Sequence, residues 1–306
     1  MSYIGIMSEI AVLVLYIFIG YILRKIRLIT ENGINDISKL VVNLAMPLLV
    51  IKAMNIEYKP EYVRNIFYVA ASALAFIVFT YLTGNKVVGF ARAEEAQKKA
   101  MRFCMIFGNA AFLGYPLCYA LFGDIGMFYA SIFVVMQNVF LWTAGVNIYK
   151  QEKIRLSNLK RLINPGTIAI SIGLTLFFLN IRPPMIIERV MDGIGGITIP
   201  LALMMTGATL YGYKFVEIVT DKKVLLVAIV KTIAFPVVFL AVLYFIPMDG
   251  MLKSTLTIQA AAPVQASAAV YAKNFKGDSV IAAKSTFLST LLCLITIPLF
   301  LVLVNL

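Results

Sequence analysis

Ten long apolar runs alternate with short polar connectors, at residues 8–23, 38–55, 64–84, 101–122, 126–149, 165–181, 193–212, 223–246, 253–273 and 281–304. A helix needs about 20 apolar residues to cross the hydrocarbon core of a bilayer. The pattern therefore predicts an all-α polytopic membrane protein with ten transmembrane helices. The sixth run is short, and the second and seventh contain Pro47 and Pro200, which read as structural kinks. Those three spans need tilt or partners to cross.

The fourth run departs most from a plain apolar helix. It ends in the stretch from Phe107 to Asp124, with Asn109, Gly114, Tyr115 and Pro116 in its interior. Proline removes a backbone donor and crowds the preceding turn, so a kink or break is expected just before Pro116. Within a bilayer, freed backbone groups are tolerated only where protein or a water-filled cavity satisfies them. A broken span carrying a buried amide thus marks a candidate binding site.

The polar positions give the orientation. Twenty of the 27 Lys and Arg residues fall in the odd-numbered connections, six in the even-numbered ones, and Lys231 lies inside span eight. By the positive-inside rule the odd connections are cytoplasmic and both termini lie outside. The charged connection at 150–164 is then a cytoplasmic linker between residues 1–149 and 165–306, each with five spans. Because five is odd, the second half enters from the opposite side, as in inverted-repeat transporters. Weak echoes accompany this: Pro47 and Pro200 in spans two and seven, and Tyr119-Ala120 against Tyr271-Ala272 near the ends of spans four and nine.

Composition sharpens the class. The chain of 306 residues is 61% hydrophobic and 14% charged, with a mean hydropathy of +0.91, against about 25% charged in soluble domains. No cleavable leader is expected, because Glu9 precedes the first apolar run. The net charge of +12 sits in the loops and does not point to nucleic acid. Cys104, Cys118 and Cys293 are scattered through apolar segments without metal spacing, so they read as small buried hydrophobes. There is no histidine, which removes the usual proton relay and the commonest transition-metal ligand. No metal or organic cofactor is expected, only coupling to Na+ or H+.

Span nine holds Pro263, Gln265 and Ser267 among alanines. The run fits a small-residue packing face, and it also fits a second broken helix. If spans four and nine cross at their breaks, half-helix amides face an anion and half-helix carbonyls face a cation. The breaks are not symmetric: Pro116 lies eight residues before Asp124, whereas Pro263 lies fifteen before Asp278. A lopsided crossing follows. Lys231 is the coupling candidate, roughly 12 Å into span eight at 1.5 Å per residue. Its stem either snorkels to the headgroups or carries charge into the site. In span five, Gln137 and Asn138 are costly against lipid, so at least one faces protein or cavity. Trp142 reads as packing, and Asn43 as a partner across the Pro47 kink. Ser289, Thr290 and Thr296 read as bonded to their own helix carbonyls, and Asp124, Asp192, Asp249 and Asp278 as interfacial.

These residues carry a family likeness over essentially the whole chain. Asn109 to Pro116, Gln137 to Thr143, Ala262-Pro263 to Lys273 and the prolines of spans two and seven resemble the auxin efflux carrier family, in its bacterial and archaeal branch. The resemblance implies a scaffold of spans 1, 2, 6 and 7 and a transport domain of spans 3–5 and 8–10, with crossing broken helices four and nine. It implies elevator-type alternating access for an organic anion, with carboxylates such as malate, malonate or an auxin-like acid as substrates. Asn109 would contact substrate, Pro116 would mark the crossover and Gln137 would line the pocket. Plant members have a proline where Ala268 stands here and a long central loop, so auxin specificity does not carry over.

The sequence thus points to a secondary transporter of a small organic anion in the cytoplasmic membrane, not an enzyme. Its expected partners are the substrate and the lipid bilayer, with a homodimer through the scaffold as a further option. A Na+-coupled symporter of bile-acid-like anions and a non-transporting sensor on the same fold are the alternatives.

Overall fold

The computed structural model describes residues 3–150, 162–212 and 215–304. Most of the linker expected at 150–164, with Lys153, Arg155, Lys160 and Arg161, lies outside the described residues, as does Lys214. The described residues are helical, with no β-strand. Six continuous runs are long and apolar enough to cross a membrane: Glu31–Ala53, Pro60–Gly89, Ala110–Tyr149, Met185–Thr209, Lys222–Tyr244 and Ser279–Val304. Pro165–Leu179 is a shorter apolar helix. The chain is a multi-pass membrane protein.

In order, the helices are α1 (Tyr3–Lys25), α2 (Glu31–Leu40), α3 (Met46–Ala53), α4 (Pro60–Gly89), α5 (Glu95–Ile106), α6 (Tyr115–Phe140), α7 (Val146–Lys150) and α8 (Pro165–Leu179). There follow α9 (Met185–Gly196), α10 (Thr198–Thr209), α11 (Phe215–Val219), α12 (Lys222–Ile229), α13 (Phe235–Tyr244), α14 (Gly250–Ala261), α15 (Ala268–Asn274) and α16 (Ser279–Val304). Their starts are written in the local sequence. Side-chain oxygens of Thr30, Asn164, Asp221 and Asp249 accept from first-turn amides of α2, α8, α12 and α14. Asp278 does the same for Val280 and Ile281 in α16, at 2.9 Å each. Each such cap satisfies amides that have no partner within the helix, so two of the four interfacial aspartates are N-caps.

Three prolines share one local device. Pro47, Pro116 and Pro236 each follow a five-residue π-helical turn, Val41–Ala45, Ala110–Gly114 and Val230–Ala234, ending two residues earlier. The proline ring crowds the carbonyl four residues back and offers no N–H. Widening the turn moves that carbonyl aside and lets another amide reach further back, as Met46 N–H does to Val41 O and Phe235 N–H to Val230 O. Such adjustment is how membrane helices tolerate proline. Pro200 instead sits in the first turn of α10, after the boundary with α9 at Ile197. Asn43 donates back to Lys39 O at 2.8 Å, within its own helix rather than across the kink.

The chain divides into two compact units, each drawing on both sequence halves. Unit 1 comprises Met1–Tyr68, Ala111–Ile132 and Ile163–Tyr211. In it α1 packs on α10, and α3 on α8 and α9. The α1–α10 approach is backbone to backbone: a Cβ at Gly20 would lie 1.9 Å from Met204 O, and one at Gly207 1.8 Å from Ile17 O. Unit 1 also holds the break inside α6, where Gly123 adopts φ 62° and ψ −149°, a conformation open to glycine. Unit 2 comprises Val69–Ala110, Phe133–Leu162 and Gly212–Leu306, with α12, α14 and α15 packed on α16.

Candidate functional site

The site is built inside unit 2 from two interruptions of helix. Between α5 and the π turn at Ala110, residues 107–109 are non-helical, and between α14 and α15, residues 262–267 are. The two breaks pair as a short antiparallel bridge of Gly108 with Val264. Asn109 N–H donates to Pro263 O at 2.7 Å and Gln265 N–H to Phe107 O at 3.1 Å. Side chains satisfy what remains. Gln137 Nε2 donates to Gly108 O at 2.9 Å, and Ser289 Oγ of α16 accepts from Val264 N–H at 3.0 Å. Buried backbone groups away from water cost free energy unless paired, so these bonds are what permit two broken helices here. The unequal breaks, three residues against six, make the pairing lopsided.

Lys231 is directed at the same place. Its side chain is 1% exposed, and Nζ donates to Ala260 O, in the last turn of α14, at 3.4 Å. It lies 5.5 Å from the centroid of the Phe76 ring, a distance that allows a cation–π contribution. A Cβ on Gly108 would stand 3.1 Å from Nζ and 3.3 Å from Ala262 O. An added methyl would press on both groups by a few tenths of an ångström. Among the described residues no carboxylate forms an ion pair with Lys231.

The residues singled out from sequence fall into two groups. Asn109 (4% exposed), Gln137 (6%), Pro263, Gln265 and Lys231 gather at the paired breaks in unit 2. Gln265 Oε1 is buried and accepts no hydrogen bond. Ser267 is half-buried and opens α15, its carbonyl accepting from Tyr271 N–H at 3.0 Å. Gly114, Tyr115 and Pro116 belong to unit 1, where the buried Tyr115 phenol hydrogen-bonds Ser131. The full break in span four therefore precedes Pro116 by seven to nine residues, and the turn next to the proline is only widened. Trp142 packs edge-on against Tyr271 at 5.8 Å.

Comparison with known proteins agrees with a membrane carrier. The family model described as "Membrane transport protein" matches residues 5–158 and 150–301. The chain belongs to the membrane transport protein family. This is the family of the auxin efflux carriers, made of transporters and not enzymes. An uncharacterized transporter of Methanothermobacter thermautotrophicus is 24% identical over 95% of this chain and 96% of its own. An uncharacterized transporter of Methanocaldococcus jannaschii is 22% identical, over 96% of this chain and 97% of its own. A Rhizobium meliloti protein named "Putative malonate transporter" is 23% identical over 67% of this chain and 68% of its own.

In this membrane transport protein, no part in the site was expected of the individual residues Phe107, Gly108, Val264 and Ser289. Val264 carries no signal, because its role lies in its backbone amide. Gly108 could have been noticed beside Asn109. Ser289 was expected to bond only its own helix; it does donate to Thr286 O at 3.1 Å, and with its remaining lone pair it holds the second break. Thr290 donates to Thr286 O at 2.8 Å, whereas the Thr296 hydroxyl is buried without a partner.

Proposed function

We propose that this membrane transport protein is a secondary transporter that binds a small carboxylate at the paired breaks. The observation that carries the reading is the buried Lys231 amine, which has carbonyl and aromatic partners but no acidic one. A buried charge without a counter-charge is costly, and an organic anion supplies the missing partner. Asn109 and Gln265, side by side with the breaks, add polar groups to fix its orientation. A malonate-sized dianion suits the reading, and the name of the Rhizobium relative is consistent with it.

In this reading ten spans form two inverted five-helix repeats, with both termini outside the cytoplasmic membrane. Six long apolar runs, the additional helices α1 and α8, and the interruptions at Gly123 and at Ala262–Ser267 are what support that count. Unit 2 carries the bound anion and exposes it alternately to either side in an elevator motion, with unit 1 as the frame. A homodimer through unit 1 completes the arrangement.

Uptake of labelled malonate, malate and indole acetate into proteoliposomes under separate Na+ and pH gradients tests this. Saturable uptake of at least one, lost in Asn109→Ala with Gln265→Ala, is expected. Binding without flux for every acid would instead favour a sensor.

A further inference from the structure

We propose that the paired breaks form a seat for a monovalent cation, and that Lys231 fills it with its own ammonium, so that anion binding requires no Na+. The proposal rests on the transport reading above and assigns its coupling chemistry. The seat is made of carbonyls. The last carbonyls of a helix lack partners within it and carry the negative end of its dipole, and α14 ends at Ala261. Ala262 then turns out of the helix at φ −53° and ψ 139°. Lys231 Nζ donates to Ala260 O, and Nζ and Ala262 O both border Gly108, 3.1 and 3.3 Å from where a Cβ on it would stand. Half-helix carbonyl ends and unwound backbone are what hold a coupling Na+ in carriers built from broken helices.

Here the chain's own amine already occupies that end, on Ala260 O. Lys231 enters from the π turn Val230–Ala234, and its amine reaches the end of α14. A second cation in the same seat would meet a like charge a few ångströms away, with little water to screen it. Phe76 closes the amine from another side with its ring. The tethered ammonium therefore does two things a bound Na+ would do: it neutralises the carbonyl end of α14 and attracts the substrate anion. Unlike Na+ it cannot leave, so substrate binding is uncoupled from the Na+ gradient.

The test needs no substrate at first. Full-length protein in detergent is unfolded thermally while NaCl replaces choline chloride at constant ionic strength. Wild type should unfold at the same temperature in both salts. Folded Lys231→Met, its seat vacated, should gain a saturable rise with Na+, of about 3 °C at tenfold excess over its Kd. Malonate titration follows: wild type should bind equally in choline and Na+, and Lys231→Met more weakly in choline than in Na+. A saturable Na+-dependent rise in wild type overturns the proposal even if the variant does not fold. So does a folded Lys231→Met that ignores Na+. If wild type binds no carboxylate, the transport reading fails, while the salt response still judges the seat.

Discussion

Two lysines of the same chain meet their charge in opposite ways. Lys52, in unit 1, forms an ion pair with Asp192 at 2.7 Å and donates to Tyr119 OH at 3.1 Å, with its side chain 28% exposed and that of Asp192 53% exposed. Lys231, in unit 2, is 1% exposed and has no acidic partner among the described residues. The chain supplies the counter-charge of the first, and in the proposed reading the substrate supplies that of the second. A lysine paired internally near the surface adds little stability. A lysine buried beside a helix end without an acid is expensive unless binding completes it, so the imbalance itself marks the site.

The largest effect that would break this contrast is expected from Lys231→Met. Losing a charge-assisted contact to substrate, worth about 1.5–3 kcal/mol, should weaken malonate binding by about 10–100-fold, measured by titration calorimetry in choline; unchanged affinity would put both lysines in one class. Next come the groups that hold the breaks together. Ser289→Ala and Gln137→Leu each leave a buried backbone group unpaired, at a cost of about 1–3 kcal/mol. Each should lower the unfolding temperature by several degrees, and their double variant should reveal coupling through the bridge. Phe76→Leu removes the ring beside Nζ and should cost about 0.5–2 kcal/mol of substrate affinity. Lys52→Met sits at the bottom: a part-exposed pair is worth about 0–1 kcal/mol. Uptake should stay within about threefold, and a loss as large as that of Lys231→Met would erase the distinction.

Much of the architecture was legible because its causes are local. Long apolar runs and prolines act within a turn or two of themselves, so the helices and the perturbed turns before Pro47 and Pro116 could be read from the residues. The site was legible only in part. Asn109, Gln137, Pro263, Gln265 and Lys231 were recognised as polar, charged or helix-breaking residues in apolar spans. The place of the first break was misjudged, because a π turn absorbs Pro116 and the helix opens instead at Phe107–Asn109. The pairing of Gly108 with Val264 uses backbone groups, which every residue possesses, so no side-chain pattern announces it.

By itself, then, the sequence determined that this is a helical membrane protein with interrupted spans and one lysine deep in an apolar helix. Hydropathy, helix capping and proline sterics are short-range and leave their mark on composition and spacing. Only the tertiary structure decided which interruption meets which, that Gln137 and Ser289 satisfy them, and where Lys231 ends. Those outcomes join residues far apart in the chain, through hydrogen bonds whose partners are fixed by packing rather than by residue type.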